Sequence, residues 1–350
     1  MRFAVLHHLE GAGDEPPTAV YDEVTEQVRV AGELGFDTAW VAEHHFSATK
    51  GRVPSPLLFL VHLAGNSRGI RVGSAVLPAP FYESVRLAEE IALADCLTGG
   101  RLACGISSSG VPDEMRVFGV AQEGKHERLR ETLLWLRRAW SGESVESLPG
   151  DSTSELVTIV PRPIQSLDDM LWVAASSSTA ARVAGELGYH LLLPSLRPLK
   201  ASAEHATTYR ATLSENGFSP SNRFVQVTQH LVLHDDHDTA MRIAQPIVRA
   251  YYERYTASGA VKPLDDESLP SIMARINFLA GGPEAVAERI VHVGGVLGLT
   301  HVAFQARLIG LSNAQVLHGL ELLQTRVAPL VTSAERRRET AQAVVRISAP

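Results

Sequence analysis

Short apolar runs alternate with longer segments of helical period from the first residues to about position 330, and this alternation constrains the fold more than any single motif. Residues 3–8 form the first run, 21–34 the first helical segment, and 38–44 the second run, with Gly35 stopping the helix between them. Segments 56–64, 70–77, 84–97, 101–106 and 127–140 continue the pattern, and 171–174, 179–187, 190–193, 199–216, 225–233, 238–255, 283–293, 301–304 and 314–323 complete it. Repeated βαβ units build a parallel sheet covered by helices. Eight strands with no linker-like boundary favour one α/β domain, a (β/α)8 TIM barrel over residues 1–330, rather than two doubly wound domains.

Two segments break the rhythm. Residues 141–165 hold Gly142, Pro149, Gly150, Pro161 and Pro163, and 156–160 reads as one strand of a small inserted hairpin. Residues 257–282 hold Gly259, Pro263, Pro270, Gly281 and Gly282 with an acidic patch; so long a loop in a compact domain is usually functional or mobile, which makes it a lid candidate. The tail, 331–350, lacks a core signature and is either an extra helix or disordered.

Composition narrows the partners. Lysine and arginine number 32 against 39 acids, a net charge of −7, so the chain lacks the basic field that sequence-independent nucleic-acid binding requires. The apolar run 56–65 is about half the length of a membrane span, and the first residues read as a strand rather than a signal peptide. Cys96 and Cys104, the two cysteines, support neither a disulfide framework nor a thiolate zinc site, which fits a reducing cytoplasm. A small molecule is the expected partner, without nucleic acid or membrane.

In a barrel of this kind the active residues stand at the carboxyl ends of the strands. The first strand ends at His7-His8 and the second at Glu43-His44-His45-Phe46. Neighbouring strand residues point to opposite faces, so the adjacent histidines cannot all enter the barrel and a metal site is not expected. One histidine per strand, His44 foremost, can face the pocket as a proton donor or acceptor; the other reading is a histidine that merely caps a strand end. The small residues of Arg71-Val72-Gly73-Ser74-Ala75-Val76-Leu77-Pro78 either admit a flat ligand or simply pack. Ser107-Ser108-Ser109-Gly110 after the fourth strand suits a polar ligand, or is an ordinary turn. After the fifth strand, Ser176-Ser177-Ser178-Thr179 precedes a helix beginning around Ala180, an anion site by its free amides and helix dipole, or a plain N-cap.

The stretches Trp40-Val41-Ala42-Glu43-His44-His45-Phe46, Arg71 to Pro78, Leu93-Ala94-Asp95 through Gly100-Arg101, Arg116-Val117-Phe118-Gly119, Val173 to Thr179 and Gly281-Gly282-Pro283-Glu284-Ala285-Val286-Ala287, in this order and spacing, resemble the bacterial luciferase-like, flavin-dependent monooxygenases. The resemblance implies a barrel that dimerises, receives reduced FMN (FMNH2) from a separate flavin reductase, and adds O2 at flavin C4a so that the peroxide oxidises a small organic metabolite. It makes His44 the catalytic residue. Ser176 and Thr179 match positions that hold the flavin phosphate, and Ala75-Val76 falls where a non-prolyl cis peptide often underlies the flavin ring. The expected flavin-binding set is Ala75, Val76, Ser107, Ser108, Ala175, Ser176, Ser177, Ser178 and Thr179, with His8, Glu43 and His45 lining the substrate pocket.

The chain also departs from that pattern. Ser107-Ser108 stands where an arginine often pairs with the phosphate, a second arginine aligns near His126 with Arg128 close by, and the reactive cysteine of luciferase falls at Ser107. Ala175 replaces an acid before the serine pair, so light emission is not implied. An F420-dependent hydride-transfer oxidoreductase on the same fold is the nearest alternative. A non-catalytic flavin-binding subunit and a metal-dependent barrel hydrolase are the others.

Overall fold

A computed structural model describes all residues except 12–14, 48, 50, 110, 149–150, 152, 260, 306 and 349–350, together with the side chains of 339 and 341–348. Gly110, Pro149 and Gly150 therefore lie outside the described residues. The strands are β1 (Arg2–His7), β2 (Thr38–Val41), β3 (Arg71–Pro78), β4 (Leu102–Ser107), β5 (Val145–Glu146), β6 (Leu156–Val157), β7 (Leu171–Ala174), β8 (His190–Leu193), β9 (Val225–Leu233), β10 (Phe278–Gly281) and β11 (His301–Gln305). Parallel pairing runs β9-β11-β1-β2-β3-β4-β7-β8, and β8 pairs back onto β9 to close the barrel. β10 joins only β9, along its second half, where Phe278 pairs with His230 and Gly281 with Leu233.

Two segments differ from their sequence reading. Residues 257–282 are not one open loop, because Leu269–Arg275 forms a helix and β10 follows it. The cause is apolar spacing: Ile272, Ile276 and Phe278 bury against Tyr251 and Tyr252 in a second core cluster beside the main one. The inserted hairpin is real but short, β5 pairing antiparallel with β6. The tail is helical, Ala328–Ser348. Among the described residues, no helix is long and apolar enough to cross a membrane.

Alternation fixes the barrel's filling. Phe3 and Val5 face the helices in the main core, whereas Ala4 and Leu6 face the axis with Trp40, Ala103, Trp172, Leu192 and Ala303. Trp40 and Trp172 meet edge-on at 5.5 Å, and Trp40 Nε1 donates to Gln226 Oε1 at 3.1 Å. These rings explain one glycine, since a Cβ on Gly73 would stand 2.6 Å from the Trp40 ring; a Cβ on Gly105 would stand 2.2 Å from the Ser74 carbonyl oxygen. Packing requires both glycines.

The Asp95 to Arg101 stretch is architectural as well. Buried Asp95 accepts from the amides of Ile164 (2.7 Å) and Gln165 (3.1 Å) and from Gln165 Nε2 (2.5 Å), holding the chain where it returns from the hairpin. Arg101 donates to the carbonyls of Ala64 (2.7 Å), Thr98 (3.1 Å), Ile70 (3.2 Å) and Ser67 (3.3 Å). Asp95→Ala removes a buried carboxylate acceptor from three donors and is expected to cost about 2–4 kcal/mol in urea unfolding. A loss below about 1 kcal/mol would contradict this role.

Candidate active site

β1 and β2 bring His8 and His44 together just past their carboxyl ends, with ring centroids 5.6 Å apart. Their neighbours point the other way. His7 Nε2 lies 3.1 Å from Gln27 Oε1 on the helix Pro17–Glu33, and burial pushes His7 down to about 4. Glu43 receives Tyr82 Oη–H at 2.5 Å and lies 3.0 Å from His45 Nε2. Burial raises Glu43 despite the downward pull of these two partners. The His45 ring packs against Phe118 at 4.8 Å and Phe46 at 5.5 Å. Of the three side chains expected to line the substrate pocket, His8 is therefore the one in ring contact with His44. Glu43 and His45 form a separate bracket with Tyr82. Among the described residues, no three histidine, cysteine or acidic side chains gather as metal ligands would.

The sequence reading did not single out Glu114. It sits on the short helix Pro112–Val117 after β4, and its Oε1 lies 3.2 Å from His44 Nδ1 and accepts the His45 amide at 3.0 Å. Burial raises the Glu114 carboxyl, but the bonds from His44 and the His45 amide outweigh it, and the net shift is downward. An ionised carboxylate only accepts, so the Nδ1 of His44 carries the proton. Its Nε2 has no protein partner among the described residues, and the side chain keeps 22% of its exposure. His8 is held well below the usual histidine range by burial, then by His44, His230, Arg254 and His7. The pair is thus one oriented imidazole beside one neutral imidazole.

Across β3, the ends of β4 and β7 carry hydroxyls. The Ala75-Val76 peptide is cis, and both side chains are half-buried, whereas Val72 to Ser74 before them and Leu77-Pro78 after them are buried. Ser108 Oγ lies 3.1 Å from His126 Nδ1, and His126 Nε2 lies 3.4 Å from Ser177 Oγ. Ser177 caps the helix Ser178–Leu187 by accepting the Ala180 amide at 3.2 Å, while Ser176, Ser178 and Thr179 stay exposed. Ala175 is fully buried and donates its amide to Leu192 O, so its side chain presents nothing to a ligand. Ser107 Oγ accepts the Ser109 amide at 3.2 Å.

Cationic charge at this end comes from Lys125, whose Nζ lies 3.2 Å from Ser109 O; burial, then Lys125, lowers His126. Arg128 instead binds the carbonyls of Glu123 and Ala121. Sequence reading passed over Lys125, although its place beside His126 was a usable signal.

The luciferase-like monooxygenase family model matches residues 1–299. The chain belongs to this family. It is an enzyme whose relatives include the oxygenase component of the flavin-dependent trigonelline monooxygenase of Acinetobacter baylyi, 25% identical over 82% of this chain and 84% of the relative. The F420-dependent glucose-6-phosphate dehydrogenase of Amycolatopsis mediterranei is also 25% identical, over 81% of this chain and 87% of that protein. The same fold appears in the oxygenating constituent of 3,6-diketocamphane monooxygenase of Pseudomonas putida, solved with FMN, at a TM-score of 0.75 and 19% identity over 94% and 98% of the two chains.

If Glu114 acts through His44, Glu114→Gln lowers turnover by about 10- to 100-fold and His44→Ala by about 10²- to 10⁴-fold. The double variant is then no slower than His44→Ala alone. Multiplicative losses in steady-state rates would contradict the coupling.

Proposed function

We propose that this luciferase-like enzyme is the oxygenase component of a two-component monooxygenase, receiving reduced FMN from a separate reductase and oxidising a small organic substrate with O2. The observation that carries the reading is the order of the strand ends: the His44–Glu114 pair on β2, a neutral platform at Ala75-Val76 on β3, and a hydroxyl-rich helix N-terminus with Lys125 beyond β4 and β7. From β2 to β7 is about 14 Å at ordinary strand spacing, room for a ring and its phosphate arm. Bound there, reduced flavin supplies two electrons to O2, so that one oxygen atom enters the substrate and the other leaves as water.

Ser176, Ser178, Thr179 and Lys125 hold the phosphate, where hydroxyls, free amides and one cation replace an arginine. His44 Nε2 moves a proton at the reacting edge, and Glu114 keeps the imidazole in the tautomer that leaves Nε2 available. Water is excluded by the segment leading into β10. Tyr251 below it donates to Glu10, which also pairs with Arg254 at 3.3 Å and so ties this side to the end of β1. Exposed Leu58, Leu93 and Leu97 on the helices Pro56–Asn66 and Ser84–Leu97 supply an apolar face for a homodimer.

Hydride transfer with F420 is the second reading, favoured by the dehydrogenase relative. Anaerobic titration with reduced FMN and with reduced F420, followed by oxygenated buffer, separates the two. The proposal expects saturable binding of reduced FMN and reoxidation slower than that of the free flavin. It also expects Lys125→Ala to weaken FMN binding about tenfold without changing riboflavin binding. Binding of F420 alone would replace the proposal with the second reading.

A further inference from the structure

β9 and β11 bring a second polar set to the barrel axis. Gln226 faces the axis because it accepts from Trp40, and the two-residue alternation turns Thr228 and His230 the same way. Ala303 belongs to the axial cluster, so Gln305 also points inward. The register sets Gln305 beside His230 on one side and Leu6 on the other, with His8 two residues beyond Leu6.

Both side chains are buried, Gln305 at 0% and His230 at 2% exposure. Among the described residues, neither Nε2 nor Oε1 of Gln305 has a hydrogen-bond partner, and neither does Nδ1 of His230. A barrel that needs only filling places branched apolar residues in such layers. Three unpartnered polar atoms on two adjacent side chains are instead what a site leaves open for a ligand. Aromatic rings pack on His230: the Tyr251 ring stands edge-on to it at 4.9 Å, and Phe278 stacks on it at 5.8 Å. Burial, then Arg254, lowers His230 to about 3, so it stays neutral, and Arg254 is itself paired with Glu10.

We propose that Gln305 and His230 form the subsite that anchors the substrate, and that it takes a neutral, planar group carrying a hydrogen-bond donor and acceptor side by side, as in a lactam, a carboxamide or a pyridone. The proposal rests on the reading of this barrel mouth as a monooxygenase site. The Gln305 carboxamide matches such a group edge to edge, its N–H donating to the ligand carbonyl and its oxygen accepting the ligand N–H. His230 Nδ1 supplies the third contact. A carboxylate is disfavoured, because among the described residues the cation acting on His230, Arg254, is already paired with Glu10 and does not balance a second buried charge.

The test is calorimetric titration of the full chain, with and without reduced FMN, using 2-pyridone as probe. N-methyl-2-pyridone, which lacks the N–H, and benzoate serve as controls. The expected result is saturable binding of 2-pyridone, about tenfold tighter than either control. Gln305→Met should lose this preference while keeping reduced-FMN binding and a melting temperature no lower than wild type, because it removes unpartnered buried atoms. His230→Phe is the second variant and should weaken 2-pyridone in the same direction. Absent or equal binding of the three probes would overturn the subsite, as would a Gln305→Met variant that melts lower yet binds unchanged. If reduced FMN binds and 2-pyridone does not, only this subsite falls. If reduced FMN does not bind the wild type, the monooxygenase reading falls, and the 2-pyridone titration still decides the subsite.

Discussion

Closure of the barrel forces each strand residue to face either the axis or the helices, and the chemistry of the mouth follows from that choice. His8 and His44 meet just past the ends of the neighbouring strands β1 and β2, whose axial residues are Leu6 and Trp40, while His7 turns out to Gln27 and Glu43 to Tyr82 and His45. The same rule separates four clustered histidines into different roles. It leaves one imidazole of this group, that of His44, in contact with the carboxylate of Glu114.

The two sides of the mouth differ in kind. Toward β4 and β7 stand exposed hydroxyls, a helix N-terminus and Lys125, a setting that favours an anion. Toward β9 and β11, Gln305 and His230 are buried and uncharged, with aromatic rings beside His230 and the Arg254 charge paired with Glu10, a setting that favours an uncharged ligand. His44 lies between these halves in strand order. This contrast is the physical basis on which the proposed cofactor and substrate sites would orient their ligands against each other.

Most of the architecture was legible in the sequence because it rests on local periodicity. Helix Ser84–Leu97 and strands Leu171–Ala174, His190–Leu193 and Val225–Leu233 have the limits that their spacing predicts. The segment 257–282 was misjudged because its glycines and prolines mask a short helix and strand whose burial depends on residues far away, Tyr251 and Tyr252. The candidate residues at strand ends were visible as polar breaks after apolar runs, His44 and the Ser176 to Thr179 run among them. Glu114 was not, since its partner lies 70 positions earlier and nothing local marks the contact. Gln305 and His230 left a fainter signal, polar residues at axial positions of otherwise apolar strands. That signal acquires meaning only once the register is known.

The central claim is that Glu114 fixes the tautomer of His44. Nitrogen NMR of protein labelled in its histidine rings tests this directly at about pH 8.5, where an unperturbed imidazole is neutral, with the His44→Gln variant identifying the signal. The account predicts a protonated Nδ1 and a bare Nε2 for His44, reverting to a tautomer mixture in Glu114→Gln. A His44 signal protonated at Nε2 and bare at Nδ1 in the wild type would contradict it.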